Sequence, residues 1–505
     1  MRRSLLAVGG ALAAAMVLSA CSAGAPEGDD EPKVLTLGVV GVESFDPVNM
    51  AGAGEGLTIW QGVYDTLITI EADGERVPGL ATEWAFDDSL TTLTLELREG
   101  VEFSDGAAFD ADAVKANFDH FTEEPGANIA MAAAITEVAA VDENTIEISL
   151  SQPDPGLETA LGGPLGAMVS PAALAGEDLD TTPVGTGPYV MDLDRSAPGS
   201  EVVFTRSDAD HWNADVWAWD EIVMKVMFDQ SARLNALRAG EIDATTITSQ
   251  AYDEVESAGM QVLSNPGDTI ALGLFDRDGA VQPALADVRV RQAINYAFDR
   301  KEMLEAIELG HGSPAGALWP GIDPVGGATY EYDPEKAREL LAEAGYSEGL
   351  SLTGVDLGTG SPLYAIITDR LAEIGIEMVW QPVAPTDAIA EMFSQKYPVL
   401  NTAYNGVGVG GDPWFFVSGY LTPTAIWNVF KNDDPELGAL VEEARTSSGG
   451  ARDEAYAKID GWLSANAWFA PLYQRDYLYA TSPDVTVEPA LGNATPYLWS
   501  FTPAE

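Results

Sequence analysis

The sequence predicts a mixed α/β protein with two or three domains. About 485 residues follow Cys21, which is more than one hydrophobic core accommodates. Short strand patterns, such as residues 221–228 and 375–383, lie between segments that carry helix-capping signals. Strands interleaved with helices are typical of the α/β class.

Four helices are predicted from aspartate caps followed by apolar residues at helical spacing. Asp110 precedes a segment whose apolar residues fall on one helical face, and Asp229 precedes a segment that ends at Gly240. Asp333 and Asp434 are each followed by proline and glutamate, the residues favoured in a first helical turn. Each of these segments is therefore predicted to be a helix.

Three strands are predicted in the first part of the chain. Residues 34–40 form an apolar run, and residues 93–98 alternate apolar and polar side chains, as a half-buried strand does. The turn signal at 99–100 leads into residues 101–106, which we predict to be a second short strand.

The amino terminus has the organisation of an export signal that ends in a lipidation site. Arg2 and Arg3 precede a short apolar run, 5–17, and Leu18-Ser19-Ala20-Cys21 resembles a bacterial lipobox. This resemblance implies removal of residues 1–20 and acylation of Cys21, which would anchor the protein to the outer face of the cytoplasmic membrane. Residues 21–32 are polar and are predicted to be a flexible tether. The alternative is an ordinary secreted protein in which the cysteine is incidental.

Composition limits the partners that the chain can have. It contains 80 Asp and Glu against 25 Lys and Arg, for a net charge of −55, so repulsion disfavours nucleic acid and anionic lipid surfaces. The acidity has two interpretations, attraction of cationic ligands or simple solubility. Cys21 is the only cysteine, so the fold forms without disulfides, and no later apolar run is long enough to span a bilayer.

The sequence gives little support for an enzyme or a cofactor-binding protein. The three histidines are far apart, and neither a Gly-x-Ser-x-Gly nor a Ser-x-x-Lys motif is present. We therefore predict no enzyme activity, no metal and no cofactor. Residues 406–411 fit the Gly-x-Gly-x-x-Gly pattern of dinucleotide sites, but an exported protein is separated from nucleotide pools, so the match is interpreted as accidental.

Several segments in the same order resemble the extracellular solute-binding proteins of family 5, the peptide- and nickel-type binding components of ABC importers. The resemblance covers roughly residues 34–490 and rests on the blocks 63–67 (Val-Tyr-Asp-Thr-Leu), 77–121, 184–189 (Val-Gly-Thr-Gly-Pro-Tyr), 237–243, 287–295 and 332–346. It implies a two-lobed clamshell of the periplasmic-binding-protein type II (cluster C) class with an extra subdomain in the first lobe.

The resemblance also implies domain boundaries and a mode of action. Lobe 1 would comprise 33–48, 166–270 and 481–505, the extra subdomain 49–165, and lobe 2 residues 271–480. The protein would be a monomer that binds a small-molecule ligand by domain closure and delivers it to the permease of an ABC importer. The alternatives are an exported enzyme and a surface sensor without a transport role.

The resemblance further suggests which residues contact the ligand. In peptide-binding relatives an aspartate four residues before a cleft proline binds the ligand ammonium group. With Pro413 as that proline, the position is Val409, which cannot form an ion pair, so simple peptides are disfavoured. Asp412 either supplies an acid or caps the turn before Pro413. The full set of expected ligand-contacting residues is Glu55, Leu57, Tyr404, Asn405, Gly406, Val409, Asp412, Trp414, Trp427 and Asn428.

Overall fold

The computed structural model describes residues 32–176, 178–197, 199–319, 322, 324–356, 361–404 and 411–504. Lys33–Glu505 forms one compact unit, and its described part alternates strands and helices, which confirms the mixed α/β class. Cys21 and the predicted export signal lie outside the described residues. Among the helices that are described, none combines the length and the apolar character needed to cross a membrane.

The strands are described in chain order. They are β1 (Val34–Val39), β2 (Ile68–Ile70), β3 (Arg76–Pro78), β4 (Ala81–Phe86), β5 (Thr92–Leu97), β6 (Ile135–Asp142), β7 (Thr145–Leu150), β8 (Tyr189–Met191), β9 (Glu201–Arg206), β10 (Glu221–Val226), β11 (Ala244–Ile247), β12 (Gln261–Leu274), β13 (Gly312–Pro314), β14 (Leu350–Asp356), β15 (Ile376–Pro382), β16 (Val399–Tyr404), β17 (Phe469–Thr481), β18 (Val485–Thr486) and β19 (Thr502–Pro503).

The α-helices lie between and beside these strands. They are α1 (Gly54–Trp60), α2 (Ala111–Glu123), α3 (Leu157–Leu161), α4 (Pro171–Leu174), α5 (Gln230–Ala239), α6 (Tyr252–Ser257), α7 (Val288–Tyr296), α8 (Arg300–Glu308), α9 (Pro334–Glu343), α10 (Leu363–Glu373), α11 (Ala388–Met392), α12 (Trp414–Phe416), α13 (Pro435–Arg445) and α14 (Gly450–Ala465). A π-helical turn, Val417–Leu421, continues α12.

The four predicted helices are confirmed as α2, α5, α9 and α13, and each begins at its predicted aspartate. The side chains of Asp110, Asp229, Asp333 and Asp434 accept hydrogen bonds from backbone N–H groups of the first turn at 2.8–2.9 Å. Such a bond satisfies a donor that the helix itself leaves unpaired. Gly240 then ends α5 in the left-handed conformation, with φ of 69°.

Two of the three predicted strands are confirmed, as β1 and β5, but the predicted strand at 101–106 is wrong. The backbone N–H of Phe103 donates to the carbonyl of Ala107, and the N–H of Phe109 donates to the carbonyl of Val101, so the segment folds back on itself. Phe103 and Phe109 pack edge to face in the core, with ring centroids 6.1 Å apart. The apolar spacing therefore comes from a tight loop rather than a strand.

The larger sheet has eleven strands, in the order β15-β14-β16-β12-β17-β11-β1-β10-β9-β8, with β13 beside β17. β1 runs parallel to β10 and β11, and β14 runs parallel to β15 and β16. A separate four-stranded antiparallel sheet, β4-β5-β7-β6, lies within residues 81–150.

Two long strands join the halves of the larger sheet. β12 and β17 are antiparallel, with pairing from Gln261 opposite Thr481 to Gly273 opposite Phe469. Residues 478–481, at the carboxyl end of β17, also pair with β11. Residues 269–274, at the carboxyl end of β12, pair with β16. The register of the pair shifts between Pro266 and Thr269, where a bulge interrupts regular pairing.

A carboxylate connects two of the blocks on which the family resemblance rests. Asp65 accepts hydrogen bonds from the Thr186 hydroxyl at 2.9 Å and from Nε2 of His211 at 3.1 Å. Nδ1 of His211 accepts the backbone N–H of Asn213 at 3.1 Å, which places the ring proton on Nε2. Asp65 thus links the segments 63–67 and 184–189 through a polar contact.

Candidate functional site

The carboxyl ends of the parallel strands are the expected place for a ligand in an α/β sheet. Beyond the ends of β1 and β10 lies a cavity of about 400 Å³. It is lined by Val40, Gly41, Glu43, Ala51, Ala53, Glu55, Gly56 and Phe228. In the other half of the sheet, the loops that follow β14 and β16 are residues 357–360 and 405–410, which lie outside the described part of the chain.

Glu55 lines this cavity, but both of its carboxylate oxygens are engaged by the protein. Oε2 accepts the backbone N–H of Val40 at 2.6 Å, and Oε1 accepts the hydroxyl of Thr246 at 2.5 Å. The side chain therefore joins the ends of β1 and β11. Both donors are neutral, and no ion pair to Glu55 is found among the described residues.

Leu57 was expected beside Glu55 as an apolar ligand contact, and the structure places it in the core. It is 2% exposed and packs in the same cluster as Ile59 and Trp60. The turns of α1 direct Leu57 inward, whereas Glu55 lies two residues earlier on the cavity side. The side chain of Leu57 thus stabilises α1 and does not line the cavity.

Asp412 caps the turn before α12, which was one of its two expected roles. Its Oδ1 accepts the backbone N–H of Trp414 at 2.9 Å and the hydroxyl of Tyr456 at 2.9 Å. Its Oδ2 lies 3.8 Å from Nη2 of Arg76. The pKa of Tyr456 is raised, first by burial and then by the charge of Asp412. Asp412 thus has three protein partners.

Trp414 is also engaged within the protein, since only 4% of it is exposed. Its indole Nε1 donates to Oδ1 of Asp154 at 3.0 Å, and the guanidinium of Arg445 lies 5.0 Å from its ring centroid. Nη1 of Arg445 also donates to the carbonyl of Pro153 at 3.4 Å. Burial raises the pKa of Asp154. The structure thus joins the segment after β16 to the loop after β7.

Asn428 is fully buried and holds its own loop together. Its amide nitrogen donates to the carbonyls of Thr422 and Asn432 at 3.0 and 2.8 Å, and its oxygen accepts the backbone N–H of Asn432 at 3.1 Å. Trp427 is half-buried and stacks on Tyr420, with ring centroids 5.7 Å apart. Asn428 is therefore a structural residue, while part of Trp427 remains accessible.

The other expected contacts belong to the glycine-rich loop after β16. Tyr404 ends β16, and its backbone pairs with Thr269 of β12. Asn405, Gly406 and Val409 lie outside the described residues. The helix after this loop, α12, has only three residues, whereas the dinucleotide fingerprint leads directly into a longer helix.

Four residues of this region were not identified from the sequence. Glu43 and Phe228 line the cavity, and Arg76 and Asp154 contact the segment that contains Asp412 and Trp414. The position of Phe228 after a parallel strand was a usable signal, because ligands bind at such strand ends. Arg76 and Asp154 carried no local signal, since their partners are more than 250 residues away.

A histidine–aspartate pair joins the loop after β1 to α2. Nε2 of His120 on α2 lies 2.9 Å from Oδ1 of Asp46. The hydrogen bond to Asp46 raises the pKa of His120. The pKa of Asp46 is lowered, because the bonds from His120 and Val48 outweigh the effect of burial. Groups of three or more potential metal ligands are not found among the described residues.

Residues 75–428 match the family model of the bacterial extracellular solute-binding proteins, family 5 Middle. The glutathione-binding protein GsiB of Escherichia coli strain K12 is 27% identical over 443 residues, which cover 84% of this chain and 85% of the relative.

Solved structures match the fold over nearly the whole chain. NikA from Brucella suis in complex with Fe(III)-EDTA superposes with a TM-score of 0.80 at 25% identity, covering 93% of this chain and 100% of that chain. DppA from Helicobacter pylori in complex with the peptide STSA gives 0.76 at 23% identity, covering 94% and 98%. These matches confirm the type II periplasmic-binding-protein fold.

Proposed function

Since the chain belongs to the bacterial extracellular solute-binding proteins of family 5, we propose that it captures a small organic solute and delivers it to an ABC importer. The observation that carries this proposal is the cavity of about 400 Å³ at the carboxyl ends of β1 and β10. A cavity at parallel strand ends is the usual ligand position in open α/β sheets. GsiB and DppA are each described as a binding protein, which favours capture over catalysis.

The proposed mechanism is closure of two lobes around the solute. Lobe 1 comprises 33–48, 166–270 and 481–505 with the extra subdomain 49–165, and lobe 2 comprises 271–480. The apolar clusters support this division to within two residues of its boundaries, since Ile270 packs with lobe 2 and Tyr479 with lobe 1. The cluster around Trp60 and Phe501 draws on residues 35–70, 167–244 and 479–501, and the clusters around Ile294 and Trp319 draw on residues 270–473.

With these boundaries, the main chain passes between the lobes in β12 and β17. The register shift between Pro266 and Thr269 lies where β12 approaches lobe 2. Irregular pairing at that point lowers the cost of changing the strand geometry, so we propose that the bulge is part of the hinge.

Contacts between the extra subdomain and lobe 2 complete the proposed mechanism. They are the bond from Trp414 to Asp154, the bond from Arg445 to Pro153, and the pairing of Arg76 with Asp412. We call these the rim contacts. In the proposed mechanism they form when the lobes close and so stabilise the closed conformation that docks on the permease.

The ligand is proposed to be peptide-like or another small organic solute. The relatives are named for different ligands: glutathione for GsiB, Fe(III)-EDTA in the NikA complex and a peptide in the DppA complex. With Pro413 taken as the cleft proline of peptide-binding relatives, Val409 takes the position of their ammonium-binding aspartate, so we propose that simple peptides in that register bind weakly.

The same proposal includes a lipid anchor at Cys21. The lipobox resemblance supports acylation of this residue, and the polar segment 22–32 supplies a tether. Two or more acyl chains anchor a protein stably, because each buried methylene adds about 0.8 kcal/mol.

Calorimetry with a panel of solutes tests the proposed function. The panel contains glutathione, peptides of two to five residues, opines, oligosaccharides and metal chelates. We expect one class to bind and to raise the melting temperature, with a gain of about 2.7 kcal/mol at 100 times the Kd. Binding to no class, or catalytic turnover of a bound solute, would contradict the proposal.

A further inference from the structure

The cavity beside β1 and β10 has an apolar floor. Val40, Ala51 and Ala53 line it together with Gly41 and Gly56. Gly56 allows a close approach of chain segments, since a Cβ there would lie 2.2 Å from Cβ of Ala51. The floor therefore depends on small residues and leaves room for a ligand group.

Two carboxylates give the cavity wall a negative charge. Glu55 is held by neutral donors, as described above. Glu43 is exposed, and within the described part of the chain its carboxylate has no hydrogen bond or ion pair. No lining residue is basic, and all eight are described. An anionic ligand group would therefore be repelled from this cavity, and a cation would be attracted.

Phe228 completes the wall with an aromatic side chain that is 78% exposed. The phenyl ring follows the end of β10, and a ligand group that covers it removes apolar surface from water. The face of a phenyl ring also attracts cations, with a gain that grows when the pair is desolvated. A cavity lined by both an exposed ring and an exposed carboxylate is thus suited to an organic cation.

We propose that Glu43, Glu55 and Phe228 form a subsite for a cationic group of the ligand, a protonated amine or a guanidinium. The amine or guanidinium N–H groups donate to the free carboxylate of Glu43, and the charged group lies against the face of Phe228. Both oxygens of Glu55 already accept hydrogen bonds from the protein. Glu55 therefore adds negative charge to the cavity and holds Val40 in place, while Glu43 contacts the ligand. This inference rests on the proposed function and specifies the ligand class that the first lobe selects.

Matched pairs of probes test the subsite by calorimetry. Each pair is an amine and its N-acetyl derivative: glutathione with N-acetylglutathione, and Met-Leu with N-acetyl-Met-Leu. The wild type is expected to prefer the amine by about 10- to 100-fold, because a hydrogen bond between charged groups is among the strong ones. Acetylation removes the positive charge and leaves the rest of the probe intact.

Two variants then assign the preference to this cavity. Glu43→Gln keeps the shape and removes the charge, so it should reduce the preference to within about threefold of unity. Phe228→Leu keeps apolar surface and removes the ring, so it should weaken the amine and spare the N-acetyl probe. Glu348→Gln is the matched control, since Glu348 is exposed in the loop between α9 and β14. This variant should prefer the amine over the N-acetyl probe as strongly as the wild type does.

The outcomes separate this inference from the proposed function. An amine preference that survives Glu43→Gln would overturn the subsite. So would binding only of neutral or anionic panel members, although the capture of solutes would then stand. Absence of binding by every probe and panel member would count against both.

Discussion

The rim contacts predict that removing one hydrogen bond donor, the indole N–H of Trp414, weakens ligand binding although Trp414 does not line the cavity. Trp414→Phe keeps an aromatic ring beside Arg445 and removes the indole N–H, which donates to Asp154 at 3.0 Å. Burial already raises the pKa of Asp154, so its carboxylate depends on the few donors that reach it.

The expected magnitude follows from the kind of bond that is lost. A hydrogen bond to a charged group contributes about 1.5–3 kcal/mol. If the bond forms only in the closed conformation, the whole loss appears in the closing equilibrium, so the ligand Kd should rise by about 10- to 100-fold. The free energy of unfolding of the ligand-free protein should change much less.

Calorimetry and denaturant unfolding, each with and without ligand, measure the two effects. Trp380→Phe is the matched control, because Nε1 of Trp380 donates to Thr368 at 3.0 Å, and both residues belong to the proposed lobe 2. That variant should lower the free energy of unfolding and leave the Kd unchanged. An unchanged Kd in Trp414→Phe, with equal destabilisation of the free and bound protein, would refute the assignment of this contact to closure.

Three further predictions concern pH and the anchor. Because the pKa of His120 is raised, its pairing with Asp46 stabilises the fold below about pH 6.5, and this contribution is lost as pH rises through the raised pKa. His120→Gln should therefore flatten this part of a plot of unfolding free energy against pH. Asp460 is buried, and burial raises its pKa to about 6 from 3.8, so unfolding free energy should fall by about 3 kcal/mol as pH rises across this interval. Asp460→Asn, followed by urea unfolding from pH 4 to 8, should remove this fall, and an unchanged slope would contradict it. Cys21→Ser should release the protein to the medium or leave the precursor uncleaved in fractionation of cells, whereas membrane retention of a processed variant would contradict lipid anchoring.

Local signals predicted the helices well, because a cap requires only neighbouring residues. Asp110 and Asp333 bond to N–H groups three positions ahead, so the pattern in the sequence is the contact itself. The strand prediction for 101–106 was wrong because it used only the spacing of neighbouring residues. Its apolar spacing fits a strand locally, but Phe103 and Phe109 reach the core through a loop that folds back.

The positions of the expected site residues were harder to predict, because some depend on how a helix or loop packs and others on partners far away in the chain. Leu57 and Asn428 lie in segments expected near the ligand, yet helical phase directs the first inward and amide bonding within its loop buries the second. Phe228 was visible only as the end of a strand, and its exposure depends on what packs around it. Trp414 was expected at the ligand, but Asp154, its partner, lies 260 residues earlier in the chain.

Solution scattering with and without the tightest-binding solute of the panel tests the central claim most directly. Closure of two lobes about β12 and β17 predicts a smaller radius of gyration at saturating solute, and a smaller decrease in Trp414→Phe at the same concentration. A saturated complex with the same radius of gyration as the free protein would contradict capture by closure.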